Sequence, residues 1–123
     1  MGNLESIALL VCDDATVDDR GKVTLQGLFD TLWVTELPVR HPRLAIFCKC
    51  RFPEAGEARC VIEGPDGTAL ASTDPINADG AGIVQAIRTV LGIELPTQGT
   101  YKIRLVGERG PIATSEFEVH SRQ

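Results

Sequence analysis

No stretch of this 123-residue chain is apolar for long enough to cross a membrane as a helix. The N-terminal Met1-Gly2-Asn3-Leu4-Glu5-Ser6 has no basic region ahead of a hydrophobic core, so it lacks the form of a secretory signal. Gly2 with Ser6 fits a loose myristoylation pattern, but no basic cluster supplies the second anchoring signal that stable attachment needs. A cytoplasmic protein with no membrane partner is expected. Basic charge is also short: 12 Lys and Arg stand against 17 acids, for a net charge of −5, and they are scattered along the chain. Phosphate binding needs concentrated positive charge, so nucleic acid is not an expected partner.

Catalytic signatures are missing as well. The two histidines, His41 and His120, belong to no nucleophile motif, and Ser6, Ser72, Ser115 and Ser121 lack an elbow or a partner base. Gly80-Ala81-Gly82 does not follow a strand and open a helix, so it is no phosphate cradle. The expectation is a non-enzymatic protein with no catalytic residues and no cofactor. Repeats and low-complexity segments are absent too, and the chain is expected to form one domain over 1–123.

What is present is β-structure. The chain is 43% hydrophobic and 24% charged, and a chain of this size buries roughly two-thirds of its unfolded surface. Ile7 to Cys12 runs into an acidic turn, Asp13 to Lys22, and returns as Val23 to Val34, which reads as one long hairpin. The Thr35 to Pro42 stretch, with Pro38 and Pro42, reads as a connection outside the sheet. In Arg43 to Phe52, Leu44, Ile46, Cys48, Cys50 and Phe52 share one face. Glu57 to Glu63 returns with Ala58, Cys60 and Ile62 inward, and Thr68 to Thr73 reads as an edge strand. Ile83 to Leu95 fits either helix or strand; its six β-branched residues favour strand. Gly99 to Val106 puts Tyr101, Ile103 and Leu105 inside, and Ile112 to Val119 closes with Phe117 and Val119. The sum is an all-β, antiparallel two-sheet sandwich of about eight strands, immunoglobulin-like in the broad sense.

Cys12-Asp13 after a hydrophobic strand, Gly21-Lys22 followed by Gly27-Leu28-Phe29-Asp30, His41-Pro42 before a strand, and Gly99-Thr100-Tyr101 form a pattern over nearly the whole chain. It resembles a family of small, uncharacterised bacterial β-sandwich proteins known only as a domain of unknown function. The resemblance implies the sandwich fold and a bacterial, intracellular setting, and it brings no catalytic residues.

Three constellations are candidate sites. If successive strands simply alternate in direction, the connections at 13–22, 53–56, 74–82 and 107–110 share one end. Asp13, Asp14, Asp18, Asp19, Asp74 and Asp79 then gather with Glu108, and such an oxygen-rich end could cage calcium or remain a solvated acidic end. Cys48 and Cys50 share a strand face, and a tight turn at Gly56 would set Cys60 opposite Cys50. Reduced core packing, a Cys50–Cys60 disulfide or a metal site are the readings of these thiols. Along Val23 to Val34 both faces are apolar: Val23, Leu25, Phe29 and Trp33 on one, Leu28, Leu32 and Val34 on the other. Only one can enter the core. Leu28, Leu32 and Val34 are therefore either covered within the fold or form an interface with another protein or a second copy.

Overall fold

The computed structural model describes residues 3–122. Gly2 of the lipidation pattern lies outside them. Among the described residues the chain is all-β, with ten strands and no helix. They are β1 (Glu5–Val17), β2 (Val23–Leu28), β3 (Thr31–Val34), β4 (Val39–Phe52), β5 (Gly56–Glu63), β6 (Ala69–Ser72), β7 (Ile76–Ala78), β8 (Gly82–Leu95), β9 (Gly99–Gly107) and β10 (Gly110–Ser121). One sheet has the order β2-β1-β4-β8, the other β3-β10-β9-β5-β6, with β7 also on β5. β8 is one continuous strand paired with β4 from Gly82 to Leu95, as its β-branched content favours.

Two sequence expectations fail at the same place. The arm from Val23 to Val34 is not one strand. Gly27 adopts a left-handed φ of 68°, the chain turns at Phe29-Asp30, and β3 joins the opposite sheet parallel to β10. The strand count therefore rises from about eight to ten, and the architecture is mixed instead of purely antiparallel. Pro42 also lies inside β4, not in a connection outside the sheet. It is tolerated there because β4 pairs with β1 no further than Ala45, so its 39–44 stretch has a neighbour on the β8 side alone.

The core lies between the sheets. Leu44, Ile46, Cys48, Cys50 and Phe52 of β4 meet Ala58, Cys60 and Ile62 of β5, Tyr101, Ile103 and Leu105 of β9, and Phe117 and Val119 of β10. Each fully buried Leu, Ile or Phe contributes about 1.5–3 kcal/mol, which is why these positions alternate so strictly with polar ones. Tyr101 can be buried because its hydroxyl donates to the Thr97 carbonyl at 2.5 Å. Burial raises the Tyr101 pKa despite that hydrogen bond.

Candidate functional site

The central strands β1 and β4 contain unbroken apolar runs, Ile7 to Cys12 and Leu44 to Cys48. Strand side chains alternate between faces, so such a run must place apolar groups on both. Leu44, Ile46 and Cys48 line the core, which turns Ala45 and Phe47 outward. Ala45 is nevertheless 0% exposed and Phe47 only 9%. Neighbouring strands bury them. Cys12 and Leu10 of β1 lie across from Ala45 and Phe47, and Thr89 and Ile87 of β8 flank the same two residues on the other side.

Cys12, Ala15 and Ala45 thus form a second apolar cluster, against which Leu25 of β2 and Ile87 of β8 pack. Its margin is open to solvent: Val17 is 59% exposed, Leu28 60% and Leu91 72%. All ten strands belong to the two sheets, so among the described residues no third layer covers this face. Three ion pairs lie on it. Arg43 bonds Asp14 at 2.7 Å, and Arg51–Glu5 and Arg40–Glu94 are looser pairs at 3.8 Å. Four strands at ~4.8 Å spacing and about ten residues at ~3.4 Å rise give a face of roughly 650 Å². That approaches the ~800 Å² each partner contributes to a standard interface.

The predicted interface set divides. Leu28 lies across from Cys12 on this outer face. Leu32 and Val34 instead pack against the core between the sheets, and Trp33 is the exposed residue at 57%. Because the chain changes sheets at Phe29-Asp30, the inward parity resets. Trp33 sits against His120, ring centroids 5.1 Å apart, with the Arg122 guanidinium 5.7 Å from its centroid.

The proposed calcium end is not assembled. The extra reversal at Phe29-Asp30 places the β1–β2 turn at the opposite end from the β4–β5 and β9–β10 connections: Glu5, at the start of β1, lies across from Arg51 at the end of β4. Asp13 lies in β1 over Gly27, where an added side chain would collide with its carboxylate. Asp14 is paired with Arg43. Asp18 accepts from the Arg20 and Lys22 N–H groups at 2.8 and 2.9 Å and so builds the turn that Asp19 occupies. Asp74 lies in the β6–β7 connection, whose carbonyl takes the Arg88 Nε, and Asp79 lies beyond β7. No group of three or more metal-ligating side chains is poised for an ion among the described residues.

All four cysteines are free and buried. The β4–β5 connection crosses between sheets, so Cys60 faces its β9 neighbour Leu105 in the ladder and not Cys50. Cys48 and Cys50 lie 3.8 Å apart, sulfur to sulfur. The hydrogen bond with Cys50 pulls the Cys48 pKa down, but its bond with Cys60 and burial prevail and push it up to about 12. The bond with Cys48 and burial raise Cys50, whereas the bond with Cys48 lowers Cys60.

An open cleft of about 390 Å³ lies between the start of β1 and the β4–β5 and β9–β10 turns. Leu4, Phe52 and Ile112 are among its apolar lining, and Glu54, Glu108 and Arg109 among its polar groups; no histidine, serine or cysteine lines it. His41 is far from it in the ladder, opposite Ile93, with a buried, unpaired Nε2.

A family described as Family of unknown function (DUF6941) matches residues 7–120. The chain belongs to that family. The DUF6941 match spans both sheets and bears out the expected resemblance to an uncharacterised domain family. No curated protein matches the chain. Among solved structures it is similar to Pseudomonas fluorescens alkylpurine DNA glycosylase AlkC bound to DNA containing an abasic site analog, with a TM-score of 0.57 and 9% identity. The alignment covers 96% of this chain and 30% of that one, so the DUF6941 chain spans under a third of the glycosylase's length. At such identity the likeness concerns the fold alone.

Proposed function

We propose that this protein is a non-enzymatic protein-binding module of the bacterial cytoplasm, a variant immunoglobulin-like sandwich that works by burying the outer face of its four-stranded sheet against another protein. The observation that carries this reading is the apolar layer of Leu10, Cys12, Ala45, Phe47 and Ile87, outside the core and without a covering element among the described residues. Around this half-buried layer the exposed apolar side chains are Val17, Leu28 and Leu91, at 59%, 60% and 72%, and such groups bordering an uncovered apolar layer mark an interaction site. Four reduced, buried thiols suit a reducing compartment. Among the described residues no helix is long and apolar enough to cross a membrane.

The test is affinity capture from native lysate with the wild type and with Val17→Lys/Leu28→Lys, both positions being exposed at the margin of the face. Partners retained by the wild type and lost by the variant support the reading. A captured set that the two lysines leave unchanged overturns it.

A further inference from the structure

An unpaired sheet edge is a template for another strand, and proteins ordinarily guard it with lysines, prolines, bulges or short length. Three edges of this molecule are guarded in that way. β3 has four residues, β2 has six, and the edge formed by β6 and β7 is cut into pieces of four and three around Pro75. The fourth edge, β8, runs fourteen residues and pairs with β4 alone. From Ile83 to Leu91 it contains no proline, no lysine and no glycine. Its one charge in that stretch, Arg88, is folded away. The Arg88 guanidinium donates to the carbonyls of Asp74, Pro75 and Ile87 at 3.1, 2.7 and 2.9 Å. Pinned there, it holds its charge off the outer side of the edge, and its bond to the Ile87 carbonyl is one that an incoming strand must share or displace.

The order of residues along this edge identifies what fits it. Read outward from Ile87 in both directions, the strand nearly repeats itself: Ala86 and Arg88, Gln85 and Thr89, Val84 and Val90, Ile83 and Leu91. Two copies of β8 laid antiparallel about a two-fold axis at Ile87 therefore match Val with Val, Ile with Leu and Gln with Thr. Ala86 stands opposite the long Arg88, which leaves that side chain its space. Cross-strand pairs of β-branched and aliphatic residues are the favourable ones, and a two-fold interface demands just this self-matching. Ile83 and Leu91, 48% and 72% exposed in a single chain, would cover each other at both ends. An open groove already borders this edge, lined by Ser72 to Asp74 and Ile87 to Leu91.

We infer that β8 pairs antiparallel with β8 of a second copy of this chain, with Ile87 on the two-fold axis, joining two four-stranded sheets into one of eight. The inference is independent of the proposed face. Edge pairing leaves the outer faces open and sets them side by side as one continuous platform.

The test uses charge at Gln85 and Thr89, both exposed, which face each other across the axis. Gln85→Lys/Thr89→Lys sets lysine against lysine twice, whereas Gln85→Lys/Thr89→Glu sets lysine against glutamate twice. Circular dichroism establishes that both variants fold, and light scattering at high protein concentration gives their masses. The expected result is twice 13.3 kDa for the wild type and the Lys/Glu variant, and a twofold fall to 13.3 kDa for the Lys/Lys variant. A monomeric wild type, a dimeric Lys/Lys variant or a monomeric Lys/Glu variant overturns the pairing. Val17→Lys/Leu28→Lys remains dimeric if the edge alone joins the copies, which separates failure of the edge from failure of the face.

Discussion

The two sheets share one core but present opposite outer faces. On the six-stranded sheet one outward row is charged throughout: Lys102 lies between Glu116 of β10 and Glu63 of β5, while Arg104 lies between Thr114 and Val61. Arg104 also bonds Glu63 at 2.7 Å. The Glu116-Lys102-Glu63 row alternates in sign across the strands, an arrangement suited to water. On the four-stranded sheet the corresponding layer is Leu10, Cys12, Ala45, Phe47 and Ile87. Solubility demands the first pattern and opposes the second. The comparison teaches that the four-stranded sheet buries apolar groups on both of its sides, and its open margin at Val17, Leu28 and Leu91 is what the proposed contact would cover.

Four substitutions or conditions sharpen or break that contrast. The largest effect belongs to the shared core: Ile103→Ala should cost about 2–5 kcal/mol in urea unfolding, because it opens a cavity between the sheets. A cost below that of surface changes would mean the core does not lie where Ile103, at 0% exposure, places it. On the charged face, Arg104→Ala should cost only ~0.2–1 kcal/mol, the usual worth of a partly exposed ion pair, and should leave partner capture unchanged. On the apolar face, Val17→Lys/Leu28→Lys should shift unfolding by no more than about 0.5 kcal/mol per site while removing capture. A large stability loss there would make the face structural. The last effect is alkaline and internal. The unfolded Cys48 thiol ionises near 9.0, and the folded one only near 12. The fold binds the proton more tightly, so this contribution is complete below pH 9 and fades as pH rises through that window. Stability that increases over the same window, followed by circular dichroism, would contradict the buried thiol pair.

Much of the fold is legible in the residues, because the signal is alternation. Tyr101, Ile103, Leu105, Phe117 and Val119 read as inward from spacing alone, and all are essentially fully buried. The break at Phe29-Asp30 was not legible. Apolar residues continue through it on both parities, and Gly27, read as part of a strand, was the one local sign of a turn. That single missed reversal inverted the order of the ends, scattered the supposed calcium ligands and exchanged Trp33 for Leu32 and Val34 as the exposed set. The candidate face was partly legible. Five consecutive apolar residues from Leu44 to Cys48 mark a strand buried on both sides, whereas Arg43, Lys49 and Arg51, which share the parity of Ala45 and Phe47, read locally as a polar outer face. Which strands neighbour β4, and so what buries Phe47, depends on long-range pairing that no local pattern encodes.

The most direct measurement is site-specific photo-crosslinking, with the reactive side chain installed at Leu28 on the apolar face or at Lys102 on the charged one. Irradiation in native lysate should yield covalent adducts with another protein from Leu28 and none from Lys102. Adducts from Lys102 alone, or equally from both, would contradict the assignment of the four-stranded sheet's outer face as the working surface.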